Sequence, residues 1–202
     1  MVDHTQMLEA TLNALAAGVF LVSRDGRVLY MNRFADAVLR AGNVLAVCKG
    51  RLTPLDREAA GNFGQMLAAG GRTGVRQTPA TSTLALPRAG GGGLVATLMP
   101  LGRRPAEMPE NESVTAVIVQ DPEVMPHLPG AAFAELYRLT QAELRVAMAI
   151  VPGATPQAAA AKLGISCNTV KTHLQRIFEK TATSRQADLV ALMMRTMPPV
   201  TV

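Results

Sequence analysis

Tryptophan is absent from this 202-residue chain, aromatic residues make up only 3% of it, and cysteine occurs twice, at Cys48 and Cys167. Two isolated cysteines exclude a disulfide framework and a four-cysteine metal site, and they point to a reducing compartment, the cytoplasm. Histidine is nearly as scarce, with none between His4 and His127, so a haem would find no axial histidine across that stretch. Long apolar runs are missing too. The longest segment without Asp, Glu, Lys or Arg, Val146 to Ala161, is too short to span a bilayer and is broken at Pro152-Gly153. Asp3, His4 and Glu9 stand where a signal peptide would be basic, so neither export nor a membrane partner is expected.

What is present is a globular composition, 49% apolar and 17% charged, with the charge unevenly placed. Residues 1–137 hold 12 basic and 12 acidic residues, whereas residues 138–202 hold 8 basic and 3 acidic, so the whole excess of +5 lies in the last third. An enzyme is not expected. A Cys-His nucleophile and base would need proximity, and Cys48 has no histidine near it in sequence.

The first part reads as α+β. His4 to Ala17 has Met7, Leu8, Leu12, Leu15 and Ala16 at helical spacing and stops at Gly18. Val19–Val22 and Arg27–Met31 are β-prone runs around the Asp25-Gly26 turn, and Asn32 can cap a helix through Arg40. Gly42 to Leu55 is ambiguous, a loop with a short strand, and Asp56 to Ala69 a helix closed by Gly70-Gly71. Strands follow at Thr81–Leu86, Leu94–Leu101 and Ser113–Gln120. The glycine-rich Pro87–Gly93 stretch reads as a hairpin loop, since no helix and no GKS or GKT follows it. Cys48 and the methionines Met7, Met31, Met66 and Met99 read as core residues rather than ligands; Lys49 beside Cys48 offers the weaker alternative of a redox-active thiol. Prolines and a glycine between Asp121 and Gly130 mark a connection, and Gly130 to Arg138 is a lead-in helix.

The last third is more explicit. Thr140 and Glu143 form a capping box opening a helix to about Val151, with Leu144, Ala147, Met148 and Val151 inward. Thr155-Pro156 starts a second helix that ends at Gly164, and only Gly164-Ile165 separates it from Ser166, the cap of a third. So short a turn forces the two helices to cross steeply, the helix-turn-helix arrangement. On the third helix Val170, Leu174, Ile177 and Phe178 share one face, at roughly 100 degrees per residue. The other face presents Asn168, Thr172, Gln175 and Arg176, flanked by Lys171, His173 and Lys180, side chains suited to base edges and phosphates in a major groove.

Two resemblances follow from these residues. Gly18-Val-Phe-Leu-Val-Ser-Arg-Asp-Gly-Arg-Val-Leu-Tyr-Met-Asn32 resembles the opening hairpin of a PAS domain, and the later elements keep PAS order. A flavin photosensor of that family would need an Asn-Cys-Arg motif, whereas Cys48 sits in Val47-Cys48-Lys49, so no cofactor is expected and any small-molecule ligand stays unidentified. The C-terminal residues Leu139-Thr140, Glu143, Gly153, Ala160, Leu163, Ile165-Ser166, Thr169-Val170-Lys171, His173, Ile177, Lys180 and Ser184-Arg185 resemble the LuxR-type (GerE-type) DNA-binding family. That resemblance implies a transcriptional regulator with double-stranded DNA as partner, in which Lys171, Thr172 and Gln175 read bases. Ser166, Asn168, Thr169, His173, Arg176 and Lys180 would then contact the backbone. A fourth helix, Ser184 to Met194, would mediate homodimerisation through Arg185, Leu189, Leu192 and Met193. RNA polymerase is a further partner open to such a regulator.

The implied organisation is a PAS-like sensory or dimerising domain at 1–121, a linker at 122–138 and a LuxR-type domain at 139–202. No receiver-type phosphoacceptor pattern is present. Ala159 and Thr181 replace larger aliphatic residues usual in the family, which would leave the helical module underpacked, at roughly 2 to 5 kcal/mol per unfilled large-to-small position. The alternatives are a PAS-type protein-interaction module, anti-sigma or scaffold-like, that uses its helical tail without specific DNA binding, and a sigma factor. The latter would need a helical polymerase-binding region where this chain reads α+β.

Overall fold

The computed structural model describes residues 4–70, 81–103, 113–124 and 130–196. They fall into two compact units, the first closing at Val124 and the second holding the described residues from Gly130 onward. No described helix is long and apolar enough to cross a membrane.

The first unit runs α1 (His4–Asn13), β1 (Gly18–Ser23), β2 (Val28–Met31), α2 (Arg33–Ala41), β3 (Leu45–Cys48), β4 (Arg51–Pro54), α3 (Arg57–Gly70), β5 (Ser82–Pro87), β6 (Gly93–Arg103) and β7 (Ser113–Gln120). Five strands form one antiparallel sheet in the order β2-β1-β7-β6-β5, and β3 and β4 pair separately. Period-two alternation selects the core face: on β6 Leu94, Ala96 and Leu98 are buried while Val95 and Met99 are exposed. Phe20, Val22, Leu84, Leu86, Val117 and Val119 join that face. Ala35 of α2, Leu45 and Leu52 of the small hairpin, and Phe63 and Leu67 of α3 pack against it in one core cluster. Helices on one side of an antiparallel sheet, in this order, make the unit PAS-like and the chain α+β. Gly18 lets α2 approach closely, since a Cβ there would lie 3.2 Å from the Ala35 Cα.

Several expectations change. The ambiguous stretch from Gly42 to Leu55 is a regular hairpin, paired from Leu45↔Pro54 to Cys48↔Arg51, with left-handed φ values of 53° at Lys49 and 79° at Gly50 in its turn. Four-residue strands are too short for an alternation signal, and the turn is Lys-Gly rather than Asn-Gly. Cys48 consequently stands exposed on a hairpin arm rather than in the core. Met7, Met31 and Met99 are exposed as well: α1 buries no side chain, Met31 lies on the edge strand β2, and Met99 alternates away from the buried Leu98; Met66 is partly buried. α1 stops at Asn13, four residues earlier than its apolar spacing suggests.

Asn32 is the joint of this unit. Its side chain caps α2 by accepting from the Ala35 N–H (3.0 Å), and it also accepts from the Val19 N–H (2.9 Å). Its amide donates to the carbonyls of Leu12 (2.8 Å) and Ala17 (2.9 Å). One side chain at 1% exposure therefore ties together the end of α1, the start of β1 and the start of α2.

The second unit is all helical: α4 (Gly130–Leu136), α5 (Gln141–Ile150), α6 (Pro156–Leu163), α7 (Cys167–Thr181) and α8 (Gln186–Arg195). Phe133, Val146, Ala147, Ile150, Ala159, Val170, Leu174, Ile177, Leu189 and Met193 form its core. The inward set of α5 is centred on Val146, Ala147 and Ile150, whereas Leu144 and Met148 are half-buried beside Gly130 of α4. The lead-in helix thus supplies a second neighbour and turns the buried arc of α5. Thr181 is 6% exposed, and its hydroxyl donates to the Ile177 carbonyl (2.8 Å) and bonds the Thr183 hydroxyl (2.9 Å), so the substituted position buries no unmet polar group.

Replacing Asn32 with alanine removes a helix cap and strands two buried donors and two acceptors. Asn32→Ala is expected to cost the first unit about 3 kcal/mol in urea unfolding, and Asn32→Asp, which keeps the acceptor oxygens, less. A loss in Asn32→Ala too small to measure would contradict the joint.

Candidate nucleic-acid interface

The site is built by a turn and three caps. Thr155 caps α6 by accepting from the Ala158 N–H (3.2 Å), and Pro156 occupies the first helical turn, where its missing N–H costs nothing. Gly164 ends α6 at φ 67°, a left-handed conformation that glycine adopts without steric cost. Ser166 then caps α7 by accepting from the Thr169 N–H (3.0 Å). α6 and α7 are thereby separated by Gly164, Ile165 and Ser166 alone, a helix-turn-helix.

Val170, Leu174, Ile177 and Thr181 recur at three- and four-residue spacing on α7, and all are buried. Asn168, Thr169, Lys171, Thr172, Gln175 and Arg176 are exposed on the remaining arc. Among the described residues Lys171, Gln175 and Arg176 carry no ion pair or side-chain hydrogen bond, so their donors are free. Thr172 donates its hydroxyl to the Asn168 carbonyl (3.0 Å), and the hydroxyls of Ser166 and Thr169 bond one another (2.8 Å). His173 is half-buried, and its Nδ1 is enclosed without a partner among the described residues.

Two groups of expected site residues are placed elsewhere. Lys180 does not point freely at a backbone: its Nζ lies 2.7 Å from Glu143 Oε2 and donates to the Arg138 carbonyl at 3.0 Å. Its role is to hold the end of α7 to the start of α5. Leu189 and Met193, expected on a dimer face, are both 0% exposed, because they plug the core beside Ile177. Arg185 is exposed and Leu192 half-buried, leaving Met194, at 41%, as the large apolar side chain that α8 shows to solvent.

Glu143 was legible only as half of a capping box. It does receive the Thr140 N–H (2.7 Å), while Thr140 Oγ1 receives the Glu143 N–H (3.3 Å). Its pairing with Lys180 joins residues 37 apart, a distance at which sequence carries no local signal. Burial pushes the Glu143 carboxyl up, but the Lys180 hydrogen bond, the Thr140 N–H and hydroxyl, and the Lys180 charge outweigh it and bring the pKa down to about 2.

The second unit presents a helix-turn-helix, and the unit before it is an antiparallel sheet with helices packed on one face. Residues 137–193 match the family described as bacterial regulatory proteins, luxR family. No curated protein matches the chain in sequence. Solved structures similar to it include the phage VqmA–DPO complex (18% identity, TM-score 0.39, covering 97% of this chain and 92% of that one). Others are the Vibrio cholerae VqmA–ligand–DNA complex (18%, 0.40, 100% and 91%) and the PAS domain of Bordetella pertussis BvgS (14%, 0.38, 69% and 98%).

A depressed carboxylate stabilises the folded state above its unfolded pKa. The contribution of Glu143 is therefore complete above about pH 4.5 and fades as the pH falls toward 2. Glu143→Gln should flatten that acid limb in a stability profile. Lys180→Met should destabilise the helical unit by about 2 kcal/mol or more, short of the ~3–5 for a fully buried pair because Lys180 is 33% exposed. Unchanged chemical unfolding in Lys180→Met would restore it to the list of free surface cations.

Proposed function

We propose that this protein is a sequence-specific transcriptional regulator that binds double-stranded DNA as a homodimer, with its PAS-like unit sensing a signal or partner. The observation that carries the reading is the exposed polar face of α7, whose Lys171, Gln175 and Arg176 keep free donors on a helix fixed by caps and a tight turn. A helix so presented fits the major groove, where lysine and glutamine bond base edges and arginine neutralises phosphate. Lys171, Thr172 and Gln175 are the base-reading set, and Ser166, Asn168, Thr169, His173 and Arg176 face the backbone. Thr172 has its hydroxyl proton committed to its own helix, which leaves a methyl group and lone pairs for the base edges. α8 contributes Arg185, Leu192 and Met194 to the dimer face, backed from within by Leu189 and Met193.

Residues 1–121 form the sensing and dimerising part and residues 139–202 the DNA-binding part, with α4 belonging to the second. Such a regulator works in the cytoplasm, where its DNA is, and the side chains present argue for binding rather than catalysis.

Affinity for duplex DNA should fall roughly 10³-fold or more between about 50 and 200 mM salt as counterions are released. A protein-interaction module would show no DNA binding or a flat response. Lys171→Ala and Gln175→Ala should each cost about 1–3 kcal/mol on the preferred site and relax base preference there, while Arg176→Ala should weaken all sequences alike. Equal effects from both kinds of substitution would contradict the division of roles. A homodimer is expected to protect an inverted repeat with half-sites about 10 base pairs apart, and a strict monomer on DNA in sedimentation would rule this out.

A further inference from the structure

Residues 1–124 are nearly balanced in charge, with 12 basic and 11 acidic residues, yet strongly basic at one place. The turn between β1 and β2 and the turn between β3 and β4 lie side by side. Arg27 bridges Arg51 in antiparallel fashion, the Val28 N–H donates to the Gly50 carbonyl (3.0 Å), and the Leu52 N–H donates to the Gly26 carbonyl (2.9 Å). Arg24, Arg27, Lys49 and Arg51, all exposed, are thereby gathered on adjoining turns. The acid among them is Asp25, and it pairs with Arg51 at 2.9 Å. Arg24, Arg27 and Lys49 have no ion pair among the described residues.

Nothing in the packing calls for this arrangement. The four side chains are exposed, and placing arginine directly opposite arginine across a ladder is destabilising. A polyanion removes that repulsion, and arginine forks match phosphate oxygens in particular. Neither turn, Ser23 to Arg27 or Cys48 to Arg51, contains an aromatic residue. They therefore offer neither a platform for stacking unpaired bases nor the aromatic anchor of a protein interface.

We propose that Arg24, Arg27, Lys49 and Arg51 form a second, sequence-independent contact to the phosphate backbone of duplex DNA, separate from the reading helix. The proposal rests on the reading of the C-terminal unit as DNA-binding. In it the N-terminal unit holds DNA as well as sensing: α7 supplies base preference, and the two turns add affinity that any duplex can satisfy.

The test uses the full chain, a selected operator and a scrambled duplex of equal length, with affinity followed across salt. Arg24→Gln/Arg27→Gln/Lys49→Gln removes three cations and leaves the Arg51–Asp25 pair in place. The slope of log affinity against log salt should become shallower by about 2 to 3 per protomer, about 5 for the homodimer, on both duplexes, with the preference ratio changed less than about twofold. The melting temperature at low salt should hold or rise, because like charges have been removed, whereas a structural role would lower it. An unchanged slope overturns the proposal, and so does a fall in melting temperature that accounts for the lost affinity.

Lys171→Ala/Gln175→Ala, measured in parallel, should collapse the preference ratio while keeping the contribution of the turns. If it changes nothing while the triple substitution still flattens the slope, the assignment of the reading helix fails and the basic turns stand. If wild-type protein binds neither duplex, both fall.

Discussion

The ion pair between Glu143 and Lys180 is the constraint on which the helical unit depends. Taking a carboxylate and an ammonium out of water is costly, and the cost is met only when each finds further partners. Here the carboxylate also accepts from the Thr140 N–H and the ammonium also donates to the Arg138 carbonyl. The contact therefore fixes three things at once: the start of α5, the end of α7 and the chain turn ahead of α5. With Val170, Leu174 and Ile177 setting the rotation of α7 about its axis, the pair sets where its far end lies. The exposure of Lys171 and Gln175 follows from that framework.

In the first unit the comparable constraint is neutral. Asn32 satisfies groups from three elements with one amide, and a buried amide carries none of the desolvation cost of an ion. The sheet needs little else at that point, because β1 is buried along nearly its whole length between β2 and β7. Strands buried on both faces tolerate a close helix, and Gly18 supplies the clearance.

How much of this could be read in advance depends on the range of each interaction. Local grammar was plain: Asn32 and Ser166 as caps, Thr140 with Glu143 as a box, Gly164 as a left-handed stop, and the β-prone runs of β6 and β7 were all visible in windows of a few residues. The hairpin from Leu45 to Pro54 was hidden because its strands are too short to show a period. The partner of Glu143, the burial of Leu189 and Met193, and the neighbourhood of Arg27 and Arg51 were hidden for a different reason. Each depends on elements far apart in sequence, and no spacing rule connects them. Lys180 and the buried pair on α8 share that origin: the ion pair of the one and the burial of the other come from helices distant in sequence.

The N-terminal helix has a property that burial statistics alone would pass over. α1 contributes no buried side chain, yet its end is fastened by the Asn32 amide on the Leu12 carbonyl and by the Arg33 N–H donating to Asn13 Oδ1 at 2.8 Å. The same amide that holds the end of α1 also caps α2 and receives the Val19 N–H, so the helix is registered to the sheet through one buried side chain rather than through a buried apolar face of its own.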